Sequence, residues 1–244
     1  MSATRFPEID LLRTVAIFLM VLYHAAYDLA FFYGTAIDLS ATQWTILERI
    51  TANLFLLLVG VSFAISYGRM ERRKAARKEI IRKYLRRGII ILAGALLISM
   101  ATYLFDPTTY VRFGVLHLIG IGVLLLPLLM RLREWNALLA IPVFLLGNPF
   151  SCLHSSSPLL LPFGITPSGF ATVDYFPLFP WFSALLLGTA LGNLLYNRGL
   201  LRWHLSSHPA LRPLLLPGRY SLWIYLAHQP ILLLTLWLLL GKAS

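Results

Sequence analysis

Charge is what this chain has least of. Only 13% of its 244 residues are charged and only 10 are acidic, whereas a soluble domain carries about a quarter charged residues. With 58% apolar residues, the composition fits a polytopic membrane protein and excludes an ordinary water-soluble enzyme. Cysteine is equally scarce. The single Cys152 rules out an intramolecular disulfide and a cysteine-based metal site, and it reads as a small apolar loop residue. No CxxC, HExxH, GxGxxG or P-loop pattern is present. Of the six histidines, only His204 and His208 stand three or four apart, flanking a Ser-Ser-His-Pro loop, so no metal site is expected. No internal repeat or low-complexity linker divides the chain, and residues 1–244 read as a single integral-membrane domain.

What the chain does have is apolar runs near the 20 residues a span requires. Seven are predicted, at roughly 11–33, 50–68, 88–105, 112–130, 134–149, 177–196 and 219–240, in an all-α transmembrane helix bundle. The first run is too long, and too polar on one face, for a cleavable signal, and is expected to remain as the first span. The fifth, broken by Pro142 and Gly147, is the shortest. A net charge of +11 invites a nucleic-acid partner, but ten of the 21 basic residues lie between Arg69 and Arg87. A membrane protein uses such a loop to fix its orientation. With the N-terminus cytoplasmic and the C-terminus outside, 18 of the 21 basic residues fall on the cytoplasmic side, leaving Arg49, Arg112 and Lys242 outside. The 69–87 segment could also attract anionic lipid heads or a polyphosphate ligand.

The first run carries Asp10, Arg13, His24 and Asp28. At about 100° per residue, Arg13 and His24 differ by roughly 20°, and Asp28 and Asp10 lie within about 60° of them. Ionisable groups at membrane depth are costly and by default indicate function. His24 is the candidate general base, with Asp28, one turn away, expected to orient its ring. Arg13, about 16 Å toward the cytoplasm, suits a phosphate-bearing ligand, with Asp10 beside it. The alternative for all four is that they tie helices together.

Further candidates follow along the chain. Arg112 opens the fourth span on a side otherwise poor in positive charge; a surface pair with Asp106 is the alternative. His117 lies about 7.5 Å deeper. Asp174 precedes Pro177 and Pro180, an irregular start to the sixth span that suits a cavity. In the last span Pro230 removes a backbone hydrogen bond beside His228 and Gln229. Asn53 in the second span is a weaker candidate, and interhelical hydrogen bonding is the alternative for these residues.

The segment Glu8-Ile-Asp10-Leu-Leu-Arg13 through His24 to Asp28 resembles the start of the heparan-alpha-glucosaminide N-acetyltransferase catalytic-domain family, in its short prokaryotic branch. Arg13-x10-His24 is also similar to the first-helix motif of the wider transmembrane acyltransferase group. Leu58-Val-Gly60-Val-Ser62, Phe113-Gly-Val-Leu-His117-Leu-Ile-Gly120, Asp174-Tyr-Phe-Pro-Leu-Phe-Pro-Trp181 and Gly218-Arg219-Tyr-Ser221 through Pro230 extend the resemblance over nearly the whole chain, in the family's order. The resemblance implies acyl transfer across a membrane, from cytoplasmic acetyl-CoA to an outer acceptor. His24 with Asp28 would be the base or the acyl carrier, and His117 and His228 oxyanion donors. Arg13 with Asp10 would lie at the CoA, and Arg112, Asp174 and Asn53 at the acceptor. The chain is shorter than the animal enzymes and has Thr14 where the family usually has Gly, which points to a glycan or lipid-linked amino sugar of a cell envelope.

The rival reading is a proton-coupled small-molecule transporter, since buried His and Asp also build proton relays. Repeats and paired broken helices, common in transporters, are not seen. A non-catalytic membrane scaffold would not need the first-helix stripe. The expected partners are the bilayer, acetyl-CoA and a glycan or lipid-linked acceptor, with a homo-oligomer left open and no nucleic acid; the expected location is a prokaryotic cytoplasmic membrane.

Overall fold

The structure is a computed structural model and describes residues 6–201, 205 and 209–241. Arg5, Arg202, His204, His208 and Lys242 lie outside the described residues. Among the described residues nine α-helices follow one another: α1 (Pro7–Tyr33), α2 (Thr42–Arg72), α3 (Arg77–Phe105), α4 (Val115–Leu129), α5 (Asn136–Leu145), α6 (Gly147–Ser151), α7 (Leu178–Gly192), α8 (Arg212–Arg219) and α9 (Ser221–Leu240). Six helical stretches are long and apolar enough to cross a membrane, and the chain is an integral membrane protein.

The difference between six stretches and seven predicted spans lies in Val115–Ser151, one run of 37 residues. A straight helix of that length would reach about 55 Å, nearly twice the hydrocarbon thickness of about 30 Å. The run is not straight. In the 3-10 turn Met130–Trp135, Arg133 adopts φ 48°, ψ −118°. Two contacts fix where this turn lies: Arg133 approaches Glu71 at 3.9 Å, near the end of α2, and Glu134 pairs with Arg198, beyond the end of α7. The opposite ends meet too. Val115, at the start of α4, hydrogen-bonds Asp174, and Gly147 abuts Pro180 at the start of α7. So α4 and α5–α6 run in opposite directions, giving the fourth and fifth spans. The break frees backbone carbonyls, which need donors in an apolar medium. Fully buried Asn136 supplies them, its Nδ2 donating to Leu129 O at 3.2 Å and Arg133 O at 2.8 Å.

The chain forms two compact units, Met1–Phe55 with Trp203–Ser244, and Leu56–Arg202. In the first, α8 and α9 pack on α1. Arg219 meets Asp10 near the start of α1, and Tyr33 at its end donates to Gly241 O at 3.2 Å, so α1 and α9 are parallel. In the second, α3 packs on α4 and α5 on α7. Without a hydrophobic drive between helices in lipid, close backbone approach through small residues supplies the packing. A Cβ at Gly188 of α7 would overlap the Leu57 carbonyl, so only glycine lets α2 and α7 approach this closely.

Candidate functional site

The first unit holds a histidine pair. The His24 and His228 rings lie 4.7 Å apart, nearly perpendicular. His24 Nδ1 is 2.9 Å from Met20 O, and His228 Nδ1 is 2.7 Å from Tyr225 O. A carbonyl oxygen only accepts, so each Nδ1 carries the proton and Nε2 of each neutral ring carries none. Among the described residues His228 Nε2 is buried with no hydrogen-bond partner.

One expected contact is corrected here. Asp28 does not orient His24: its Oδ1 accepts from Gln229 Nε2 at 2.7 Å, and the backbone of His24's own helix fixes the ring instead. Among the described residues the second Asp28 oxygen and Gln229 Oε1 have no hydrogen-bond partner, and Asp28 is fully buried. His228, expected as an oxyanion donor, has its Nδ1 on Tyr225 O, so Nε2 of the neutral ring carries no proton. Asn53, expected at the acceptor, is exposed and donates to Arg49 O of its own helix at 2.8 Å.

One helical stretch below, Asp10 joins two arginines. Its Oδ1 accepts from Arg13 at 3.3 Å, and its Oδ2 from Arg219 Nε at 3.3 Å. Asp10 thus holds both guanidinium groups near the start of α1. Thr14 fastens the same junction. Its hydroxyl approaches Leu214 O at 2.7 Å and accepts from Gly218 N at 2.9 Å. Glycine is required at 218, where a Cβ would overlap the Asp10 carbonyl. Arg219 and Thr14 were not picked out from sequence for these contacts; the spacing of about 200 residues hides them, although Gly218-Arg219 opens a motif already noted.

The second unit carries Arg112, His117 and Asp174. Asp174 Oδ2 accepts from Val115 N at 3.1 Å, so it caps α4. The adjoining backbone is zipped: Val173 N donates to Thr109 O at 2.8 Å and Phe176 N to Phe113 O at 2.9 Å. His117 Nδ1 accepts from Gly114 N at 3.2 Å. This is the opposite tautomer to the histidine pair, so Nε2 of the neutral ring carries the proton and can donate. Arg112 does not pair with Asp106. That carboxylate is engaged by Thr108 and Thr109, whose hydrogen bonds hold it down at about 2. The Arg112 guanidinium stands 5.0 Å from the Tyr110 ring and 5.1 Å from the Phe170 ring, a cation between two aromatic faces. Its Nη2 donates to Thr108 O at 3.3 Å, while Nε has no partner. Tyr175, beside Phe170, donates to Leu161 O at 2.8 Å, and burial pushes its phenol up to about 12.

A family model described as heparan-alpha-glucosaminide N-acetyltransferase, catalytic, matches residues 5–230. The chain belongs to that family. The match runs through both units and includes every residue placed above. No curated protein and no solved structure gives a match. Membership of the heparan-alpha-glucosaminide N-acetyltransferase catalytic family makes the chain a membrane protein of an acetyltransferase family.

Proposed function

We propose that the chain transfers an acetyl group from cytoplasmic acetyl-CoA to an amino sugar, or another glycan or lipid-linked acceptor, on the outer side of a prokaryotic cytoplasmic membrane. The observation that carries this reading is the histidine pair, its rings 4.7 Å apart and each Nδ1 turned to a backbone carbonyl, which leaves Nε2 of each neutral ring without a proton. Acyl transfer needs such a group. An acceptor amine or hydroxyl attacks the thioester carbon; a C–N or C–O bond forms, the C–S bond breaks, and the acceptor's proton must go to a base. His24 Nε2 takes it in a direct route. In a two-step route the same atom attacks first, carries the acetyl group, and passes it on.

The other candidates take supporting roles, each by its own chemistry. Arg13, held with Arg219 by Asp10, binds a CoA phosphate. Arg112 and Asp174 serve the acceptor, and His117 supplies the oxyanion N–H. Asn53 has the weakest support, since its amide is turned to its own helix.

The test uses purified protein in vesicles with radiolabelled acetyl-CoA and a panel of amino-sugar acceptors. Wild type transfers label. His24→Ala loses it by about 10²–10⁴-fold for a base, and by more for an obligate carrier, while CoA binding stays within a few-fold. Near-normal turnover in His24→Ala, with His228→Ala or His117→Ala inactive, moves the centre to that histidine. Uptake of solute without label transfer supports the transporter.

A further inference from the structure

The first three turns of α3 carry a set of cations that neither catalysis nor packing uses. The helix has two opposed faces. Tyr84, Gly88, Ile91 and Ala95 are buried, with Gly88 set against Leu124 of α4 and Tyr84 against Phe63 of α2, ring to ring at 4.4 Å. At the 4- and 3-residue spacing of a single helix face, the other side presents Lys78, Arg82, Arg86, Ile89, Ala93, Leu96, Met100 and Leu104, all exposed. The apolar members are strongly so, Leu96 at 64%, Met100 at 60% and Leu104 at 78%. From Arg86 to Leu104 the helix rises about 27 Å, close to the hydrocarbon thickness. Lys78 to Arg86 rises a further 12 Å or about that, through the headgroup layer.

Among the described residues Lys78, Arg82 and Arg86 have no carboxylate within ion-pair distance. Among the described residues the nearby carboxylates are engaged elsewhere, Glu79 with Arg73 and Glu71 with Arg133. Lys83, on the flank of the stripe, is turned away and donates to Ser66 at 2.7 Å. We infer that this face of α3 binds the phosphate of anionic phospholipids, the acyl chains lying along Ile89 to Leu104 and the headgroups on Lys78, Arg82 and Arg86. Charge complementarity and the continuity of the basic ladder with the apolar stripe favour a lipid over a soluble polyphosphate such as CoA. A CoA molecule on this open face would leave its uncharged parts in the headgroup layer with nothing to enclose them, whereas a lipid satisfies both halves of the stripe.

The test uses the full chain reconstituted in vesicles of phosphatidylcholine doped with spin-labelled phosphatidylglycerol or spin-labelled phosphatidylcholine, and reads the motionally restricted lipid fraction. Wild type is expected to enrich phosphatidylglycerol by roughly tenfold or more, with the preference falling as salt rises. The triple variant Lys78→Gln, Arg82→Gln, Arg86→Gln loses the preference, the three single variants each lose part of it, and Arg131→Gln retains it. The single variants keep the test decisive should the triple fail to fold. Unchanged selectivity in all of them overturns the proposal. So does displacement of the restricted lipid by added CoA, which would make the ladder a nucleotide site, or concentration-dependent crosslinking through Leu96 with no lipid preference, which would make it a face between two copies.

Discussion

At the residue scale, a carbonyl oxygen decides which histidine can do what. Met20 O and Tyr225 O can only accept, so His24 and His228 are left as bases, while Gly114 N can only donate and leaves His117 as a donor. This division separates the expected effects of neighbouring substitutions. Asp28 is bonded to Gln229, so Asp28→Asn keeps a side chain of the same shape and leaves the His24 tautomer in place. Its turnover is expected to fall by less than a tenth as much as that of His24→Ala, measured as initial rates at saturating acetyl-CoA; an equal loss would return Asp28 to the role of orienting carboxylate. Arg13 gives a binding prediction. A phosphate contact from a guanidinium is worth on the order of 1.5–3 kcal/mol, so Arg13→Ala is expected to weaken acetyl-CoA binding by about 10- to 150-fold, with Arg219 remaining on Asp10. An unchanged dissociation constant by calorimetry removes Arg13 from the donor site. The stripe of Asp10, Arg13, His24 and Asp28 was legible in the sequence because helical spacing fixes which residues of one helix share a face. The partners of those residues were not. Gln229 lies 201 positions from Asp28 and Arg219 lies 209 from Asp10, and periodicity within one element carries no information about such pairs.

At the scale of elements, α4 begins where Asp174 reaches its first backbone N–H. A helix start leaves unsatisfied donors, and an N-terminal cap is worth about 0.5–2 kcal/mol. Asp174→Ala is therefore expected to lower the thermal midpoint in detergent, whereas Asp174→Asn, which keeps an acceptor oxygen, is expected to preserve it. If the asparagine variant keeps its stability but raises the KM for the acceptor, Asp174 serves both the helix and the substrate; if KM is unchanged, capping is its whole role. The α-helical class and the approximate spans were readable because apolar runs of bilayer length leave the backbone no other way to satisfy its hydrogen bonds. The reversal at Arg133 was readable only in outline. Neither Gly nor Pro stands at the turn. What stabilises it is Asn136, whose amide donates to the freed backbone carbonyls three and seven residues back, and a single buried asparagine gives no periodic signal.

At the scale of the whole molecule, the number of crossings decides which surfaces share a side of the membrane. If Val115–Ser151 crossed once, the loop before α3 and the segment 155–172 would be separated by two crossings and lie on the same side. If the chain reverses at Arg133, three crossings separate them and they lie on opposite sides. The second unit supports the latter: one end gathers Glu71, Arg133, Glu134 and Arg198, and the other gathers Thr109, Phe113, Val173 and Phe176. In the first unit the parallel course of α1 and α9 also requires an odd number of crossings. The basic residues add the direction. The end with the α2–α3 loop holds Arg69, Arg72, Arg73, Lys74, Arg77, Arg131, Arg133 and Arg198, against Arg112 at the other, and positive charge is retained in the cytoplasm. Exposed Cys152 is first replaced by serine. Single cysteines are then introduced at Arg131 and Ser168, both exposed, and intact cells are treated with a membrane-impermeant thiol reagent. Ser168→Cys is expected to react from outside and Arg131→Cys only after permeabilisation. A third cysteine at Arg77, in the basic loop before α3, is expected to behave like Arg131→Cys. Labelling of positions 77 and 168 from the same side would make Val115–Ser151 a single span, and labelling of all three in the reverse sense would keep the seven crossings but invert the protein, placing the His24 face and its arginines toward the opposite compartment from the one that supplies acetyl-CoA.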